Sequence, residues 1–274
     1  MNIKNKIDKI GVPLKDWDIQ INYGIKTGCN EAFIINNEKR EEILLNCLTE
    51  EERKITAEII RPILRGRDIQ RFDFHWAGLY LIATFPSRHY DINHLPALKA
   101  HLLSFGIEKL EQTGCEHLVK GKKIKARKKT NNKWFETQDS ISYWDHFSKP
   151  KIMWKRVGSI LRFSYDKEGH FGLDSTCFAI GEHLEFLVCL LNSPMGHYLL
   201  RNAPKTGTGD LLISVQAVEP ILAPKPEDTS IYERYLANGL FNEETEREIN
   251  KAIYELYDLT DEEISLIEQS QLTP

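Results

Sequence analysis

The sequence predicts an α+β protein in which mixed sheets pack against helices and an acidic helical tail closes the chain. Runs rich in β-forming residues, such as YLIATF and KIMW, stand between segments whose apolar residues recur at helical spacing. The regular strand–helix alternation that indicates a parallel sheet is absent. A length of 274 residues with 41% apolar residues is enough to bury a large core.

The N-terminal segment is predicted to enter the fold through two short strands. Residues 1–20 indicate a linker or an entry helix, and residues 21–25 and 31–36 have the apolar pattern of strands. Gly24 and Gly28 lie between the apolar runs, so we expect a glycine turn that joins the two strands.

The next segments are predicted to be a helix, a strand and a second helix. Residues 36–64 have a helical pattern, in which Thr49 followed by Glu52 is typical of a capping box and Pro62 limits the end. Residues 77–86 are rich in β-formers and predict a buried strand, and residues 92–114 contain apolar residues at helical spacing.

The second half of the chain is predicted to be compact. Three strands are expected within residues 150–158, 160–166 and 174–181, and residues 183–203 form a strongly apolar helix that is interrupted near Pro194. A proline-rich exit near residue 225 predicts a boundary.

We therefore expect one domain over residues 1–226, with a possible division into two lobes near 120–135, and a helical tail over residues 227–274. The tail is strongly acidic, since residues 227–268 contain thirteen acidic and three basic residues. One alternative function is a protein-interaction module whose acidic tail docks on a partner domain.

The chain has two glycine-rich segments, residues 24–28 and residues 204–210 (PKTGTGD), and neither matches a nucleotide-binding loop. A P-loop has the order G-x-x-x-x-G-K-[ST], because backbone amides wrap the phosphates and the lysine reaches between them. In the first segment Lys26 precedes Gly28, and in PKTGTGD Asp210 occupies the place of the lysine and would repel phosphate. The sequence therefore argues against binding of a nucleoside triphosphate.

Several other kinds of chemistry also lack their motifs. The sequence contains no H-E-x-x-H, no G-x-S-x-G, no dinucleotide fingerprint and no C-x-x-C pair among its five cysteines. No apolar run reaches the roughly 18 residues that a membrane span needs. Unpatterned cysteines favour a reducing compartment, so we expect a cytoplasmic protein with no metal or cofactor of its own.

A nuclease is kept as an enzymatic alternative. Such an enzyme would place an acidic residue some way before a Glu-x-Lys, and Glu52 and Lys54 match the second half of that pattern. They lie in a helix that is expected to be exposed, and chance explains the match in a chain with this many charges.

Basic residues gather in three clusters that are interleaved with aromatic residues. Residues 120–133 hold eight basic residues and no acidic ones, and we expect an exposed loop or a mobile segment there. The second and third clusters are Lys149, Lys151, Lys155 and Arg156 around Trp154, and Arg61, Arg65, Arg67 and Arg71. Each cluster alone is consistent with a solvated face, whereas the three together favour a polyanion such as nucleic acid. Trp154 itself is expected in the core, because it lies in an apolar strand.

Four segments in order, INYGIKTGCNEAFII, KPKIMWKRVG, FLVCLLNSPMGHYLL and VEPILAPKP, resemble the Taq-type C-terminal specificity domain. That domain occurs in adenine-specific DNA methyltransferases and in type IIG restriction–modification enzymes. The family segment G-I-x-T-G-x-N-x-A-F is matched at Gly24, Ile25, Thr27, Gly28, Asn30, Ala32 and Phe33. The tail sequence IYELYDLTDEEISLIE looks like the closing helix of the family, so the resemblance spans nearly the whole chain.

The resemblance implies a target-recognition domain that grips double-stranded DNA and helps to select a short sequence. It also implies an N-terminal methyltransferase domain or subunit that uses S-adenosylmethionine, with Mg²⁺ for any nuclease, in a restriction–modification or other phage-defence protein. This sequence has neither the N-P-P-[YF] tetrapeptide nor the glycine-rich loop of such a domain. The chain alone is therefore not expected to methylate DNA, and we expect it to be a fragment of a longer polypeptide or a separate subunit.

The expected DNA contacts follow from the basic clusters and the family segment. They are Lys122, Lys123, Lys125, Arg127, Lys128 and Lys129, then Lys155, Arg156, Lys205 and Thr206, and finally Lys26, Thr27 and Asn30. For the last three, a DNA-facing role and a simple glycine turn are equally consistent with the sequence.

Overall fold

The α+β prediction is confirmed by the computed structural model, which describes residues 2–239 and 241–270. The helices are α1 (Ile3–Ile10), α2 (Asn30–Phe33), α3 (Asn37–Leu45), α4 (Glu50–Ile59), α5 (Pro96–Leu103), α6 (Ile107–Leu110), α7 (Leu184–Asn192), α8 (Pro194–Leu200), α9 (Val215–Val218), α10 (Ser230–Asn238), α11 (Glu243–Leu256) and α12 (Asp261–Gln269). The strands are β1 (Val12–Pro13), β2 (Ile19–Tyr23), β3 (Ile34–Asn36), β4 (Ile60–Leu64), β5 (Leu79–Ile82), β6 (Glu116–Val119), β7 (Lys122–Lys125), β8 (Lys151–Lys155), β9 (Val157–Gly158), β10 (Phe163–Asp166), β11 (Phe171–Gly172), β12 (Thr176–Gly181), β13 (Leu211–Leu212) and β14 (Leu222–Ala223). None of the described helices is long and apolar enough to cross a bilayer.

The central sheet has the strand order β10-β8-β12-β2, and all its neighbours are antiparallel. Because successive side chains of a strand point to opposite faces, its two faces serve two different cores. Ile152, Trp154 and Ala179 belong to the first core, whereas Met153 and Phe178 belong to the second. The sheet therefore lies between two apolar clusters and is covered on both sides.

The first core is closed by helices from the C-terminal half. The predicted interruption of the apolar helix is confirmed, because α7 ends at Asn192 and Ser193 caps α8, whose Gly196 N–H it accepts at 3.2 Å. The acidic tail packs here through three buried side chains, which are Tyr232 of α10, Ile253 of α11 and Tyr257, the residue that follows α11. Its apolar faces are thus part of the main fold, while its charged faces point outward.

The second core lies between the central sheet and a smaller sheet with the order β11-β4-β5-β3. In that sheet β11 runs parallel to β4, and β5 is antiparallel to both β4 and β3. Helix α5 adds buried Leu98 and Leu102. Residues 120–135, the expected division between two lobes, hold β7 and the segment that follows it.

Several predictions of local structure are wrong. Residues 31–33 belong to the short helix α2, and the strand begins at Ile34, because Ala32 and Phe33 turn fully into the second core. Strands β2 and β3 lie in different sheets. Residues 24–30, the glycine segment, therefore cross from one sheet to the other and do not join paired strands. Residues 120–125 are not a loop but part of the β6–β7 hairpin, whose tight turn at Lys120 and Gly121 has φ of 47° and 77°.

Candidate nucleic-acid interface

The lysine-rich hairpin β6–β7 presents most of its charge to solvent. Lys122, Lys123 and Lys125 are exposed, and so are Lys128 and Lys129 just after the hairpin. Among the residues that the structure describes, none of these five lysines takes part in an ion pair or a side-chain hydrogen bond. Their positive charges are therefore available to a polyanion.

Arg127, which the sequence groups with these lysines, is buried and has a different environment. Its guanidinium donates hydrogen bonds to four carbonyl oxygens, those of Leu110 (2.7 Å), Thr27 (2.8 Å), Glu136 (2.8 Å) and Trp134 (2.6 Å). Burial lowers the pKa of Arg127 to about 10, which leaves the group charged at neutral pH. The prediction that Arg127 belongs to an exposed strip is therefore wrong. Its guanidinium instead holds three chain segments together through hydrogen bonds.

The glycine segment, residues 24–30, is held against a neighbouring turn. A Cβ atom at Gly24 would lie 2.0 Å from the Leu173 carbonyl oxygen, so this close backbone approach requires glycine. Asp174 N–H donates to the Ile25 carbonyl oxygen at 2.9 Å. The glycine at position 24 of this family-like sequence is therefore explained by backbone packing, independently of any role in binding.

The three polar residues of the glycine segment have different exposures. Thr27 is fully buried, donates to Asn30 Oδ1 at 2.7 Å and accepts from the Cys29 N–H at 3.1 Å. Its hydroxyl is thereby used inside the loop, which favours the structural one of the two roles that the sequence leaves open for Thr27. Lys26 and Asn30 are exposed. Beside Lys26, burial raises the pKa of Asp139, although the hydrogen bond from the Lys26 N–H and the Lys26 charge act against this.

A second basic surface forms where β9 pairs with β13. Lys155 is exposed, and its side chain runs past Gly66 and Gly158. The Arg156 carbonyl oxygen accepts from the Ile213 N–H at 2.8 Å, and an isolated bridge joins Lys205 to Leu211. The fold thus brings Lys155, Arg156, Lys205 and Thr206 together, although about fifty residues separate the two pairs in the sequence.

Hydrogen bonds to backbone carbonyl oxygens connect the two basic surfaces through the glycine segment. On one side Arg127 reaches the Thr27 carbonyl oxygen, and on the other side Ser175, next to Asp174, accepts from the Arg156 N–H at 2.9 Å. The hairpin, the segment that contains Lys26 and the cluster around Lys155 are consequently linked through neighbouring hydrogen-bonded segments of the fold.

Several other predicted cations have partners within the fold. Lys151 is fully buried, where its ammonium pairs with Asp166 and donates to the Phe147 carbonyl oxygen at 2.5 Å. Arg65 forms two hydrogen bonds to Asp68, and Arg71 pairs with Glu246 at 2.6 Å. Arg61 stacks over a phenylalanine ring, whereas Arg67 is exposed. The interior position of Trp154 is confirmed, with its indole N–H donating to the Ile213 carbonyl oxygen at 2.8 Å.

The Glu52 carboxylate has a structural use. The predicted helix cap is confirmed, since Thr49 Oγ1 accepts from the Glu52 N–H at 3.1 Å. The expected exposure of Glu52 is wrong, because its two oxygens accept from the N–H groups of Leu48 (2.7 Å) and Ala97 (2.9 Å) in the interior. These bonds tie α4 to α5, which explains the residue without catalysis.

Comparisons with known proteins agree with this picture. The family model of the TaqI-like C-terminal specificity domain matches residues 61–213, which is more than half of the chain and excludes the glycine segment. Among solved structures, the chain is similar to the type IIL restriction–modification enzyme MmeI in complex with DNA, at 12% identity and a TM-score of 0.57, over 93% of this chain and 35% of that one. It is also similar to the type IIG restriction endonuclease BpuSI, at 12% identity and a TM-score of 0.45, over 93% of this chain and 31% of that one. The chain thus spans about a third of these structures, and no curated protein sequence matches it.

Proposed function

Since the chain belongs to the TaqI-like C-terminal specificity domain family, we propose that it binds double-stranded DNA and selects a short sequence. It would act as the target-recognition domain of a restriction–modification protein. The observation that carries the proposal is the set of exposed lysines on and just after the β6–β7 hairpin, which have no acidic partner among the described residues; Lys155 and Lys205 are further exposed lysines. Such unneutralised charge suits the phosphate backbone, which positions a protein on the duplex.

The proposed contact set is narrower than the sequence indicates. It contains the exposed residues Lys122, Lys123, Lys125, Lys128, Lys129, Lys155, Lys205, Lys26 and Asn30, together with the half-buried Arg156 and Thr206. Arg127 and Thr27 stay outside it, because both side chains are buried and bonded to the protein interior. They would support the surface that the other residues form.

The test is the salt dependence of DNA binding. Fluorescence anisotropy with a labelled 20-base-pair duplex would be measured between roughly 50 and 200 mM salt, where each phosphate contact contributes about 0.9 to the slope of log K against log salt. Changing Lys122, Lys123, Lys125, Lys128 and Lys129 to glutamine should remove about 4.5 units of that slope. The control changes five exposed lysines elsewhere, Lys4, Lys9, Lys54, Lys167 and Lys251, so that net charge falls equally.

Two results would refute the proposal. An affinity that does not change with salt would show that no phosphate contacts form. An equal loss of slope in the hairpin variant and in the control would show that net charge, rather than this surface, governs binding.

We further propose that the catalytic groups lie on a methyltransferase domain or subunit that uses S-adenosylmethionine. The chain's own sequence contains no N-P-P-[YF] tetrapeptide to hold an extruded adenine. Sequencing of the coding region directly upstream tests this, because the tetrapeptide should occur there. The acidic outer faces of α10, α11 and α12 are the part of the surface least suited to DNA and would be free to contact that partner.

A further inference from the structure

The β6–β7 hairpin has the shape of an element that can enter a groove of DNA. It forms a separate two-stranded sheet, so neither of its outer edges pairs with another strand. Four residue pairs give it a length of about 13 Å, and its strands lie about 4.8 Å apart. The major groove of B-DNA is about 12 Å wide and admits a two-stranded ribbon.

The base of the hairpin is fixed to the fold. The Ala126 N–H donates to the Cys115 carbonyl oxygen at 2.9 Å, and the Gly114 N–H donates to the Arg127 carbonyl oxygen at 2.9 Å. The buried guanidinium of Arg127 then holds this base to the interior. A ribbon anchored in this way can project its tip without losing its orientation, which base reading requires.

The two faces of the hairpin differ in exposure. Directly paired residues share a face, so Leu118 and Lys123 lie on the same side as Glu116 and Lys125, and all four are exposed. On the opposite side His117, Val119 and Ile124 are half-buried, and His117 pairs with Glu111. The ribbon therefore has an inner face that rests on the fold and an outer face that is free.

Leu118 places an apolar side chain among the charged residues of the outer face. It is 74% exposed and lies in the middle of the lysine-rich ribbon. In the major groove an apolar side chain contacts the methyl group of thymine, a lysine donates to guanine, and a carboxylate accepts from cytosine. The face formed by Leu118, Lys123, Lys125 and Glu116 carries all three of these chemistries.

From these observations we propose that the β6–β7 hairpin enters the major groove and that Leu118 contacts a thymine methyl group there. This inference rests on the proposed function and makes it specific, because it assigns base reading to one face of one ribbon. Lys122, on the inner face near the turn, then contacts phosphate rather than a base.

The experiment is selection of binding sites from a random duplex library with the 274-residue chain, followed by affinity measurement on the selected duplex. Replacing individual thymines by deoxyuridine removes only the methyl group. We expect the unmodified chain to lose about tenfold in affinity at one or two thymines, and Leu118→Ala to be insensitive to the same replacements. Leu48→Ala, a change at another leucine that is 80% exposed, is the matched control and should behave like the original chain.

The outcomes separate this inference from the proposed function. If duplex binding is salt-sensitive but Leu118→Ala selects the same sequence and keeps its response to deoxyuridine, the hairpin does not read thymine and the inference fails alone. If the unmodified chain selects no sequence, base reading by the hairpin is also overturned. If it binds no DNA at all, the proposed function fails first. A far-ultraviolet circular dichroism spectrum that is unchanged in Leu118→Ala confirms that folding does not account for the difference.

Discussion

Arg127 and Lys128 are neighbours of the same charge, and the structure predicts opposite effects when they are lost. Arg127→Met removes a buried guanidinium that donates to four carbonyl oxygens on three chain segments. Lys128→Met removes an exposed ammonium that has no partner among residues 2–239 and 241–270. The first change should therefore destabilise the fold, whereas the second should weaken only DNA binding.

The size of the first effect follows from the bonds that are lost. Hydrogen bonds to a charged group contribute about 1.5–3 kcal/mol each, so four such bonds would suggest more than about 6 kcal/mol if they were independent. Removing the guanidinium also removes the free-energy cost of burying it. Removing one partner of a buried charged pair typically lowers the free energy of unfolding by about 3–5 kcal/mol. We expect Arg127→Met to lower the free energy of unfolding by about 3–5 kcal/mol and Arg127→Lys by about 2–3 kcal/mol, because one ammonium cannot span four carbonyls.

Urea unfolding followed by tryptophan fluorescence measures the difference. Lys128→Met should unfold within about 0.5 kcal/mol of the original chain, since exposed charges contribute little to stability, and should lose about 0.9 units of salt slope in DNA binding. If Arg127→Met proves as stable as Lys128→Met, the guanidinium does not hold the three segments together. The base of the hairpin would then not be held to the interior by Arg127.

Three further predictions concern the interior. Gly24→Ala should destabilise the chain by about 1–3 kcal/mol in urea unfolding, because the new methyl group meets the backbone at Leu173; unchanged stability would mean that the segment moves freely. Burial acts to raise the pKa of Asp166, but its partners, including Lys151, lower that pKa on balance. The ionised Asp166 should therefore stabilise the fold fully above about pH 4, and this stabilisation should disappear as the pH falls through the lowered pKa of the folded state. Asp166→Asn should accordingly flatten the acid limb of stability measured against pH and should cost about 3–5 kcal/mol at pH 7, and a variant with the original acid limb would contradict this. Glu52→Gln should cost about 1–3 kcal/mol in thermal unfolding, because one backbone N–H loses its acceptor, and a variant as stable as the original would show that the bonds are dispensable.

The sequence is informative where local pattern decides the structure. The strands β8, β10 and β12 follow from their β-forming residues, and Ser193 with Pro194 marks the break between two helices. Cap chemistry at Thr49 is likewise local and is found as expected. In each of these places a few consecutive residues are sufficient to determine the backbone.

The fate of individual charges could not be predicted in this way. Arg127 and Lys128 are indistinguishable by composition, and what buries Arg127 is a set of carbonyl oxygens from segments as far away as Thr27. Lys151 is buried because the pairing of β10 with β8 places Asp166 opposite it, and Asp166 is contacted in turn by His170. One local signal was available for the hairpin, since Lys120–Gly121 between alternating residues is typical of a tight turn.

The central sheet has a consequence for how such a chain can diversify. Its two inner strands, β8 and β12, supply side chains to both apolar clusters, so replacing one half of the molecule would remove part of the other half's core. Exchange of whole lobes between relatives is therefore expected to fail. Grafting of residues 115–126, with Arg127 kept as the fixed point, transfers a ribbon without touching either cluster. New sequence preferences would then arise by changing the ribbon while the framework stays constant.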